Sequence, residues 1–403
     1  MRIGYFTSAY PRATDTFIQR EVMGLRRRGI DVRTFSVRRT ESDHDVSPEI
    51  IDEKRNTSYL LPVNPLTLLA AVAIAFIRTP RVFVAMAGLA WKTARPGFRG
   101  RLWQLFYFLE AILLTREMHR QKVSHLHNHF GDASGTVTML ASGLSGVSYS
   151  ITFHGPHIFF DPMHWALREK VRRARFIVCI SNYCMSQMML FSERSDWSRL
   201  KIVHCGVDVS QFSTATERPS GRLLYIGRLA AEKGLPVLFE SLKLLRDAGY
   251  TFELTLVGDG PDRKALEHLA QLMDLADRLR FVGYIGQDAV RERLQNSHVF
   301  ILPSFAEGVP VSLMEAMACG VPVIGTYVGG VVELVEPGVT GQLVPPSDSV
   351  ALRDAIARYL DQPNLCMQVS RQGRMKIEKD FNLELELDKL AALFRQFSAK
   401  DSV

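Results

Sequence analysis

Short apolar runs alternate with amphipathic stretches in both halves of the chain. Near the N-terminus, residues 2–7 and 31–37 have the length and composition of buried strands, and residues 16–28 between them have apolar positions at helical spacing. A strand, loop, helix and strand in this order are typical of a parallel sheet with helices on its faces. The same order begins again at residues 223–226. The pattern therefore predicts an α/β protein with two domains, in keeping with a length of 403 residues.

A polar stretch, residues 213–222, lies between these two series of elements. We interpret it as a linker that joins an N-terminal domain, residues 1–212, to a C-terminal domain, residues 223–380. The chain ends with residues 381–403, whose apolar positions predict an amphipathic helix over residues 382–398.

The clearest unit of the C-terminal domain covers residues 298–338. Residues 299–302 predict a buried strand, a helical pattern follows from Val311 to Cys319, and a second strand comes after it. Pro310 is predicted to occupy the first helical position, where its missing N–H does no harm.

Two carboxylates, with seven residues between them, flank the start of this helix. Glu307 lies in the loop before the helix, and Glu315 lies about one turn inside it, where helical side chains lean toward the N-terminus. The free N–H groups of a helix start favour a phosphate. The pair could therefore hold hydroxyls on both sides of a diphosphate, as in a nucleotide-sugar. The alternative is two solvated glutamates.

Two cations follow the first strand of the C-terminal domain. Arg228 comes directly after Gly227 at the end of that strand, and Lys233 lies in the loop before the next helix. A paired arginine and lysine can neutralise a diphosphate and stabilise it as a leaving group. The alternative is two ordinary loop cations.

Histidines are concentrated at two predicted strand ends of the N-terminal domain. His125, His127 and His129 alternate along one strand, so their side chains share a face. A metal site is one interpretation, but no carboxylate or cysteine lies near them in sequence, and a polar cluster is favoured. His154 follows the strand over residues 149–153, where the carboxyl end of a parallel strand meets the ligand crevice.

The overall composition is that of a soluble globular protein, 47% hydrophobic and 23% charged. Five scattered cysteines without a CxxC pair indicate reduced thiols and a cytoplasmic setting. The N-terminus lacks the apolar region of a signal peptide. Asp43-His44-Asp45 resembles a metal-binding motif, but it lies in the polar residues 40–56, which predict a loop, and we expect no metal there.

The net charge of +7 is concentrated in one segment. Residues 78–122 contain nine basic and two acidic residues, so the net charge of this segment, +7, equals that of the whole chain. Such a patch fits an anionic partner: a lipid surface, a lipid diphosphate or nucleic acid. Nucleic acid is disfavoured because the aromatic residues of the segment lie within apolar helical patterns and are not spaced along a strand.

The same region is unusually apolar. Residues 66–77 form an unbroken apolar run, and residues 82–91 continue it after Pro80, but neither half is long enough to span a bilayer. Buried core helices, an interfacial hairpin and a lid with an exposed apolar face are the alternatives. The adjacent basic and aromatic residues favour the interfacial one, and we predict that residues 66–107 attach the protein peripherally to the anionic inner membrane surface.

Five segments of the C-terminal half together resemble the retaining GT-B glycosyltransferases of family 4. They are YIGRLAAEKG (225–234), LVGDGPDRKALE (256–267), RFVGYI (280–285), SFAEGVPVSLMEAMACGVPVI (304–324) and VGGVVELVEPGVTG (328–341). The N-terminal half is similar more loosely, through YPRATDTFIQREVMGLRRRG (10–29), HNHFG (127–131), SYSITFHG (148–155) and KIVHCGVDVSQF (201–212). The combination is similar to the branch that builds bacterial exopolysaccharide, colanic-acid-type or lipopolysaccharide chains.

The resemblance implies a GT-B fold, in which two doubly wound Rossmann-like domains face a central crevice, with the last helix returning to the N-terminal domain. It also implies roles for individual residues. These are Arg228 and Lys233 on the donor diphosphate, Glu307 on the hydroxyls of the donor sugar, Glu315 on the ribose, His154 near the transferred sugar, and the backbone of Gly227, Gly308, Val309 and Val311 on sugar or phosphate. No metal and no cofactor are implied. The first strand–helix loop departs from the family pattern, because residues 9–16 lack its glycines.

The function implied is transfer of a sugar, with retention of configuration, from a nucleotide diphosphate-sugar (UDP or GDP) to a hydroxyl of a glycan or lipid-linked oligosaccharide. Three other activities stay open from the sequence. A hydrolase could use Glu307 and Glu315 as an acid/base pair, an epimerase could act on the nucleotide-sugar, and a binding module could use the basic patch alone.

Overall fold

The computed structural model describes residues 1–12, 15–45, 47–214 and 218–399. The chain forms two compact units. The N-terminal unit consists of Met1–Val203 with Leu387–Val403, and the C-terminal unit consists of His204–Glu386.

The N-terminal unit contains a parallel sheet whose described strands have the order β3-β2-β1-β4-β5-β6-β7. The strands are β1 (Arg2–Ala9), β2 (Asp31–Arg38), β3 (Ser58–Tyr59), β4 (His125–His129), β5 (Ser148–Phe153), β6 (Phe176–Cys179) and β7 (Leu200–Ile202). The order reverses between β1 and β4, which are direct neighbours, with Tyr5 beside His127 in the register. Ligands of such sheets bind at the carboxyl ends of the strands, at the reversal point.

Eight helices of the N-terminal unit fall within the described residues. They are α1 (Thr16–Arg27), α2 (Pro48–Asn56), α3 (Pro65–Arg78), α4 (Pro80–Lys92), α5 (Phe98–Arg120), α6 (Ala133–Ser145), α7 (Leu167–Arg173) and α8 (Asn182–Leu190). The predicted loop over residues 40–56 is wrong in its second half, which forms α2. Ser47 accepts a hydrogen bond from the Ile50 N–H, and Pro48 occupies the first turn, so the helix has a regular start.

The C-terminal unit repeats the doubly wound arrangement with the strand order β10-β9-β8-β11-β12-β13 over its described residues. The strands are β8 (Arg222–Ile226), β9 (Glu253–Val257), β10 (Leu279–Gly283), β11 (Val299–Ile301), β12 (Val323–Thr326) and β13 (Gln342–Val344). The helices are α9 (Leu235–Asp247), α10 (Arg263–Leu272), α11 (Gln287–Gln295), α12 (Val311–Ala318), α13 (Val331–Leu334), α14 (Ser349–Asp361) and α15 (Pro363–Asp380). The prediction of two doubly wound α/β domains is confirmed.

The last helix, α16 (Leu383–Ala399), begins in the C-terminal unit and continues in the N-terminal unit from Leu387. Residues 204–212 also pack in the C-terminal unit, ahead of the predicted linker. There the Val207 N–H donates to the Phe381 carbonyl at 2.9 Å. Gly206 permits this approach, since a Cβ on it would lie 2.4 Å from the Leu383 Cα.

The apolar helices α3 and α4 are not core helices. Within α3 only Ala71 is buried among the described side chains, whereas Leu66, Leu69 and Ile77 are 75%, 65% and 75% exposed. The alternative of buried core helices is therefore wrong for this region. No single helix of the described chain is long and apolar enough to cross a membrane. The pair α3 and α4 has the length and composition to do so together, but it bends by 115° at the break.

Candidate active site

The sheet of the C-terminal unit reverses its order between β8 and β11, so the loops after these two strands lie side by side. Both loops carry predicted site residues. Gly234 brings them together: its φ is +63°, and a Cβ there would lie 2.2 Å from the Pro303 carbonyl oxygen. The Phe305 N–H donates to the Glu232 carbonyl at 2.8 Å, which ties the loops at a second point.

Glycines also shape the loop that begins at Gly227. The Gly227 N–H donates to the Val257 carbonyl at 3.0 Å, and a Cβ on Gly258 would lie 2.1 Å from the Gly227 oxygen. Arg228 follows with an exposed side chain, while its carbonyl accepts from the Tyr225 hydroxyl at 2.8 Å. The strand end is thus fixed, and the guanidinium of Arg228 faces solvent.

Lys233 and Glu307 form an ion pair, with 2.6 Å between Nζ and Oε1. Ser304 Oγ also donates to Glu307 Oε1, at 2.6 Å, and the Ser304 carbonyl accepts from Thr326 Oγ1 at 2.6 Å. Glu307 is 7% exposed and Ser304 is fully buried. The Glu307 carboxylate therefore links the loops after β8 and β11, and Ser304 joins the second of these loops to the end of β12.

The helix after this loop, α12, begins at Val311, and Pro310 precedes it with φ −74° and ψ 118°. The prediction that Pro310 occupies the first helical position is wrong by one residue, because its ψ is extended. No side chain of the described residues caps this helix start. The N–H groups of its first turn can therefore bind an anion. The Gly308 carbonyl is engaged by the Gly330 N–H at 2.8 Å, which holds the loop against the turn before α13.

The second carboxylate, Glu315, lies in the second turn of α12 and is 3% exposed. The alternative of two solvated glutamates is wrong, since Glu307 and Glu315 are both buried. Burial of an ionisable group is costly unless the group is paired or hydrogen-bonded. Val309, between them in sequence, is 6% exposed, and Val311 is half-buried.

In the N-terminal unit, the three alternating histidines share one face of β4, as predicted. In the register of β4 and β5, His127 pairs with Ser150 and His129 with Thr152. His127 Nδ1 lies 2.7 Å from Ser150 Oγ, and its Nε2 lies 3.0 Å from Thr152 Oγ1. Burial, together with the neighbouring histidines, lowers the pKa of His127 well below its usual value. The ring is therefore neutral near pH 7.

A hydrogen-bonded chain ends at His154. The Tyr5 hydroxyl donates to Glu21 Oε1 at 2.6 Å, and His129 Nε2 lies 3.1 Å from the same oxygen. His129 Nδ1 lies 2.7 Å from His154 Nε2. Because a carboxylate only accepts, His129 donates through Nε2, and a neutral His129 then accepts from the Nε2–H of His154. Burial lowers the pKa of His154, and the charges of His129 and His157 lower it further.

Glu21, His127 and His129 also have the spacing of a metal site, since their ligand atoms all lie within 4.8 Å of one another. The carboxylate that seemed to be missing in the sequence is supplied by α1. The hydrogen bonds described above nevertheless account for both nitrogens of His127 and for Glu21 Oε1, so a metal would have to displace them. The other candidate, residues 43–45, lies at the end of a short helical turn, Ser42–His44, and Asp45 after it pairs with Lys54 at 2.7 Å.

Sequence reasoning did not find Glu21 and Ser304. Glu21 lies 108 residues before His129 and reaches it only because α1 packs beside β4. Ser304 had a weak signal, since it lies three residues before Glu307 at the end of a predicted strand. His154 belongs to the N-terminal unit and the Lys233–Glu307 pair to the C-terminal unit, so the structure describes two sets of site residues.

Two family models together match most of the chain. The model described as Glycosyltransferase Family 4 matches residues 15–211, and the model described as Glycosyl transferases group 1 matches residues 209–376. The boundary between the matches lies near residue 210.

Individual proteins are similar over 66% to 98% of the chain. The colanic acid biosynthesis glycosyltransferase WcaL of Salmonella typhimurium is 27% identical, over 98% of this chain and 100% of its own length. WcaL of Escherichia coli is 31% identical over 66% of this chain and 69% of its own length. Anabaena HepE, solved in complex with UDP-glucose, superposes with a TM-score of 0.76 at 16% identity, over 98% of this chain and 100% of HepE. At that identity the superposition shows a common fold.

Proposed function

The chain belongs to the GT-B glycosyltransferases of family 4, and on that basis we propose that it transfers a sugar from a nucleotide diphosphate donor to an acceptor hydroxyl. The observation that carries the proposal is the set of Lys233, Glu307 and the uncapped start of α12 at the sheet reversal of the C-terminal unit. Opposite charges and helix N–H groups at the carboxyl ends of parallel strands suit a ligand with both phosphates and hydroxyls. We expect the nucleotide of the donor to be UDP or GDP.

We assign protein residues to each part of the nucleotide-sugar donor. Arg228 and Lys233 neutralise the diphosphate, and the backbone of Gly227, Gly308, Val309 and Val311 contacts sugar or phosphate. Glu307 accepts from hydroxyls of the donor sugar, and Glu315 accepts from those of the ribose. The burial of both carboxylates supports this assignment, because the surrounding protein holds each of them in a defined position.

We propose retention of the anomeric configuration. The bond between the anomeric carbon and the diphosphate oxygen breaks, and its electron pair leaves with the diphosphate. The acceptor oxygen then bonds to the same face of the sugar, and the departing diphosphate takes the acceptor proton. Arg228, Lys233 and the start of α12 stabilise the charge that develops on the leaving group. No protein nucleophile and no metal are required by this sequence of steps.

His154 is assigned a place near the transferred sugar from the family resemblance. Its chain to Glu21 supports a defined role, because a carboxylate at the far end orients both rings and directs the Nε2 proton of His154 inward. A histidine held in one tautomer and kept neutral can position a hydroxyl without adding charge to the site.

For the acceptor, we propose a glycan or lipid-linked oligosaccharide of bacterial surface polysaccharide synthesis, reached from the cytoplasmic face of the inner membrane. Two observations support it. The similar WcaL proteins are named for colanic acid biosynthesis. In addition, α3, α4 and α5 expose large apolar side chains, and α4 and α5 lie within the basic segment 78–122, a combination found in peripheral membrane proteins.

The experiment that tests this function is a donor screen. Thermal stabilisation of the full chain is measured with UDP-, GDP- and ADP-sugars in buffer containing EDTA, and the stabilising donors are then tested for transfer to a lipid-linked acceptor. We expect one nucleotide-sugar to stabilise the chain and to be consumed only when acceptor is present. Release of free sugar without acceptor would indicate a hydrolase, and conversion of the donor alone would indicate an epimerase.

A further inference from the structure

A cavity of about 280 Å³ opens in the N-terminal unit. It lies between the start of α5, the first turn of α6 and the segment that follows β5. The residues that matter below are Arg95, Arg99, Trp103, Gln104, His164 and Trp165. None of them belongs to the two sets of site residues already described.

Two polar atoms of this cavity wall are buried without a hydrogen-bond partner among the described residues. Gln104 is 7% exposed; its Nε2 donates to the Thr93 carbonyl at 3.1 Å, but its Oε1 has no donor. His164 Nδ1 is likewise buried and unpartnered. Buried polar atoms are nearly always hydrogen-bonded, so each indicates a missing partner. An amide oxygen accepts only, so the partner of Gln104 must be a donor such as a hydroxyl.

The cavity is also cationic. Arg95 lines it and is paired with Asp161. Arg99 is exposed, and within the described chain no acidic group pairs with it. Guanidinium groups bind phosphate through two parallel hydrogen bonds. A phosphate beside Arg99 would therefore meet a charge that no described side chain neutralises.

The rim of the cavity is apolar and aromatic. Phe98, Leu102 and Trp103 are 81%, 39% and 54% exposed along the start of α5. Trp103 and Trp165 both line the cavity, and aromatic rings of this kind can pack against a sugar ring. The exposed side chains of the rim offer a surface for a hydrocarbon chain. A ligand that complements these properties has a polar, anionic head and an apolar tail.

The cavity lies close to the histidine chain. Trp165 has its ring 5.9 Å from Lys170 Nζ, which donates to the Gly131 and Asp132 carbonyls at 2.7 and 2.8 Å. Gly131 and Asp132 come two and three residues after His129, the last residue of β4. The cavity therefore adjoins the carboxyl-end edge of the sheet, where His154 also lies.

We propose that this cavity binds the glycosyl phosphate head of an acceptor carried on a hydrocarbon chain. Arg99, with Arg95, binds the phosphate; Gln104 Oε1 and His164 bind sugar hydroxyls; and the hydrocarbon lies along the exposed apolar side chains of α5. The inference rests on the proposed function in one respect, the lipid-linked nature of the acceptor.

The test is a titration of the chain with three probes, followed by tryptophan fluorescence, with the two lipid probes kept below their micellar concentrations. The probes are farnesyl glucosyl phosphate, glucose 1-phosphate and farnesyl phosphate. We expect the first to bind at least about tenfold more tightly than the second. Arg99→Ala should weaken the first probe about tenfold, and Gln104→Leu should weaken the glucosylated lipid but not farnesyl phosphate, which has no sugar hydroxyl.

Arg116→Ala is the matched control, since it removes the same charge from an exposed position of α5 outside the cavity, and it should bind like the wild type. The proposal is overturned if Arg99→Ala binds like the wild type, or if Arg116→Ala loses as much affinity. Equal binding of glucose 1-phosphate and the lipid probe would overturn the lipid part. The melting temperature of Gln104→Leu is measured in parallel. If this variant fails to fold, the test rests on Arg99→Ala, which changes an exposed side chain and should not affect folding.

UDP binding is measured in the same series. Loss of probe binding in Arg99→Ala with UDP binding intact supports the cavity. A wild-type chain that binds the lipid probe but no nucleotide would refute the proposed function and leave this inference standing.

Discussion

Lys233 Nζ and Glu307 Oε1 lie 2.6 Å apart, with side chains only 18% and 9% exposed. Because water has little access to this pair, its geometry is well defined. Removing only one of the two partners is strongly destabilising, because it leaves a buried charge without a counter-charge. The two residues therefore differ as experimental targets. Glutamine at position 307 keeps an oxygen that Lys233 and Ser304 can donate to, whereas alanine at position 233 leaves a buried carboxylate without its cation.

Glu307→Gln is expected to reduce sugar transfer by about 100-fold or more, because the proposed hydroxyl contacts lose a charged acceptor. Lys233→Ala is expected to abolish transfer as well and to lower the free energy of unfolding by about 3–5 kcal/mol. Transfer is measured with the donor identified in the screen, and stability by urea unfolding.

The matched controls for this pair are Glu240→Gln and Lys243→Ala, which make the same changes at exposed positions of α9 in the C-terminal unit. Both should transfer sugar at the wild-type rate. Near-normal turnover of Glu307→Gln and Lys233→Ala would remove these residues from the site.

Glu21 acts, in our proposal, through His129 on His154. Glu21→Gln replaces an acceptor that receives from both Tyr5 and His129 by an amide that can also donate, so the direction of the chain is no longer fixed. We expect kcat to fall about tenfold, the scale of one charge-assisted hydrogen bond, while KM for the donor stays constant. Steady-state kinetics with varied donor separate the two quantities.

Glu41→Gln, at an exposed position of the same unit, serves as the control for Glu21→Gln. A parallel loss of donor affinity and melting temperature in Glu21→Gln would indicate general damage to the unit and would contradict a positioning role.

How well single residues could be predicted depended on the range of their contacts. Glu307 and Glu315 lie on one local strand–loop–helix unit, so spacing alone placed them. The residues that complete each set come from elsewhere in the chain. Thr326 holds the Ser304 carbonyl from the end of another strand, and Glu21 reaches the histidines across 108 residues. Side-chain spacing along one segment carries no information about such pairs.

At the scale of elements, buried strands and strongly periodic helices were predictable, because a parallel sheet covered on both faces requires continuous apolar runs. Strand β8 and helix α12 follow their predicted bounds within one residue. Helix α2 was not predicted, because its polar composition conceals a buried face. Its Glu53 is 8% exposed and binds Arg26 and the Thr34 hydroxyl.

Helices α3 and α4 illustrate a second limit. Their sequences are apolar enough for a core, yet large side chains point to solvent. Composition alone could not separate a core helix from one that meets a membrane, because both are apolar. The exposed fractions of Leu66 and Ile77, 75% each, remove the first alternative and leave a surface in need of a partner.

The membrane proposal predicts that Leu69→Glu weakens binding to vesicles that contain phosphatidylglycerol. Leu69 is 65% exposed on α3, and the change removes an apolar contact while adding a charge that anionic lipids repel. We expect the partition coefficient to fall about tenfold in flotation assays. Leu272→Glu, at a leucine 68% exposed on α10, should float like the wild type. Failure of the wild-type chain to float would contradict the proposal.

At the scale of the whole molecule, the chain does not finish one unit before it starts the other. It leaves the N-terminal unit after Val203 and returns to it at Leu387, within a single helix. The N-terminal unit thus depends on residues at the far end of the sequence. Arg28 pairs with Asp388 at 2.7 Å, and Gly24 leaves room for Leu387, whose Cδ1 would lie 2.2 Å from a Cβ there.

Phe394 is the centre of this returning segment. It is 1% exposed, and its ring centroid lies 5.2 Å from that of His127 and 5.6 Å from that of Phe176. Phe394→Ala should therefore lower the free energy of unfolding of the N-terminal unit by about 3–5 kcal/mol, through lost apolar burial and a cavity beside the histidines.

In the contacts described above, Phe394 packs against residues of the N-terminal unit. The loss of stability on its replacement should therefore be confined to that unit. Calorimetry with the stabilising nucleotide-sugar absent should show the melting of that unit shifted down, with nucleotide affinity unchanged at temperatures where it stays folded. Leu385→Ala, at a residue 50% exposed on the same helix, is the control and should leave both properties as in the wild type. If Phe394→Ala melted like the wild type, the last helix would not be part of the N-terminal core, and its hydrogen-bonded histidines would be held by the sheet alone.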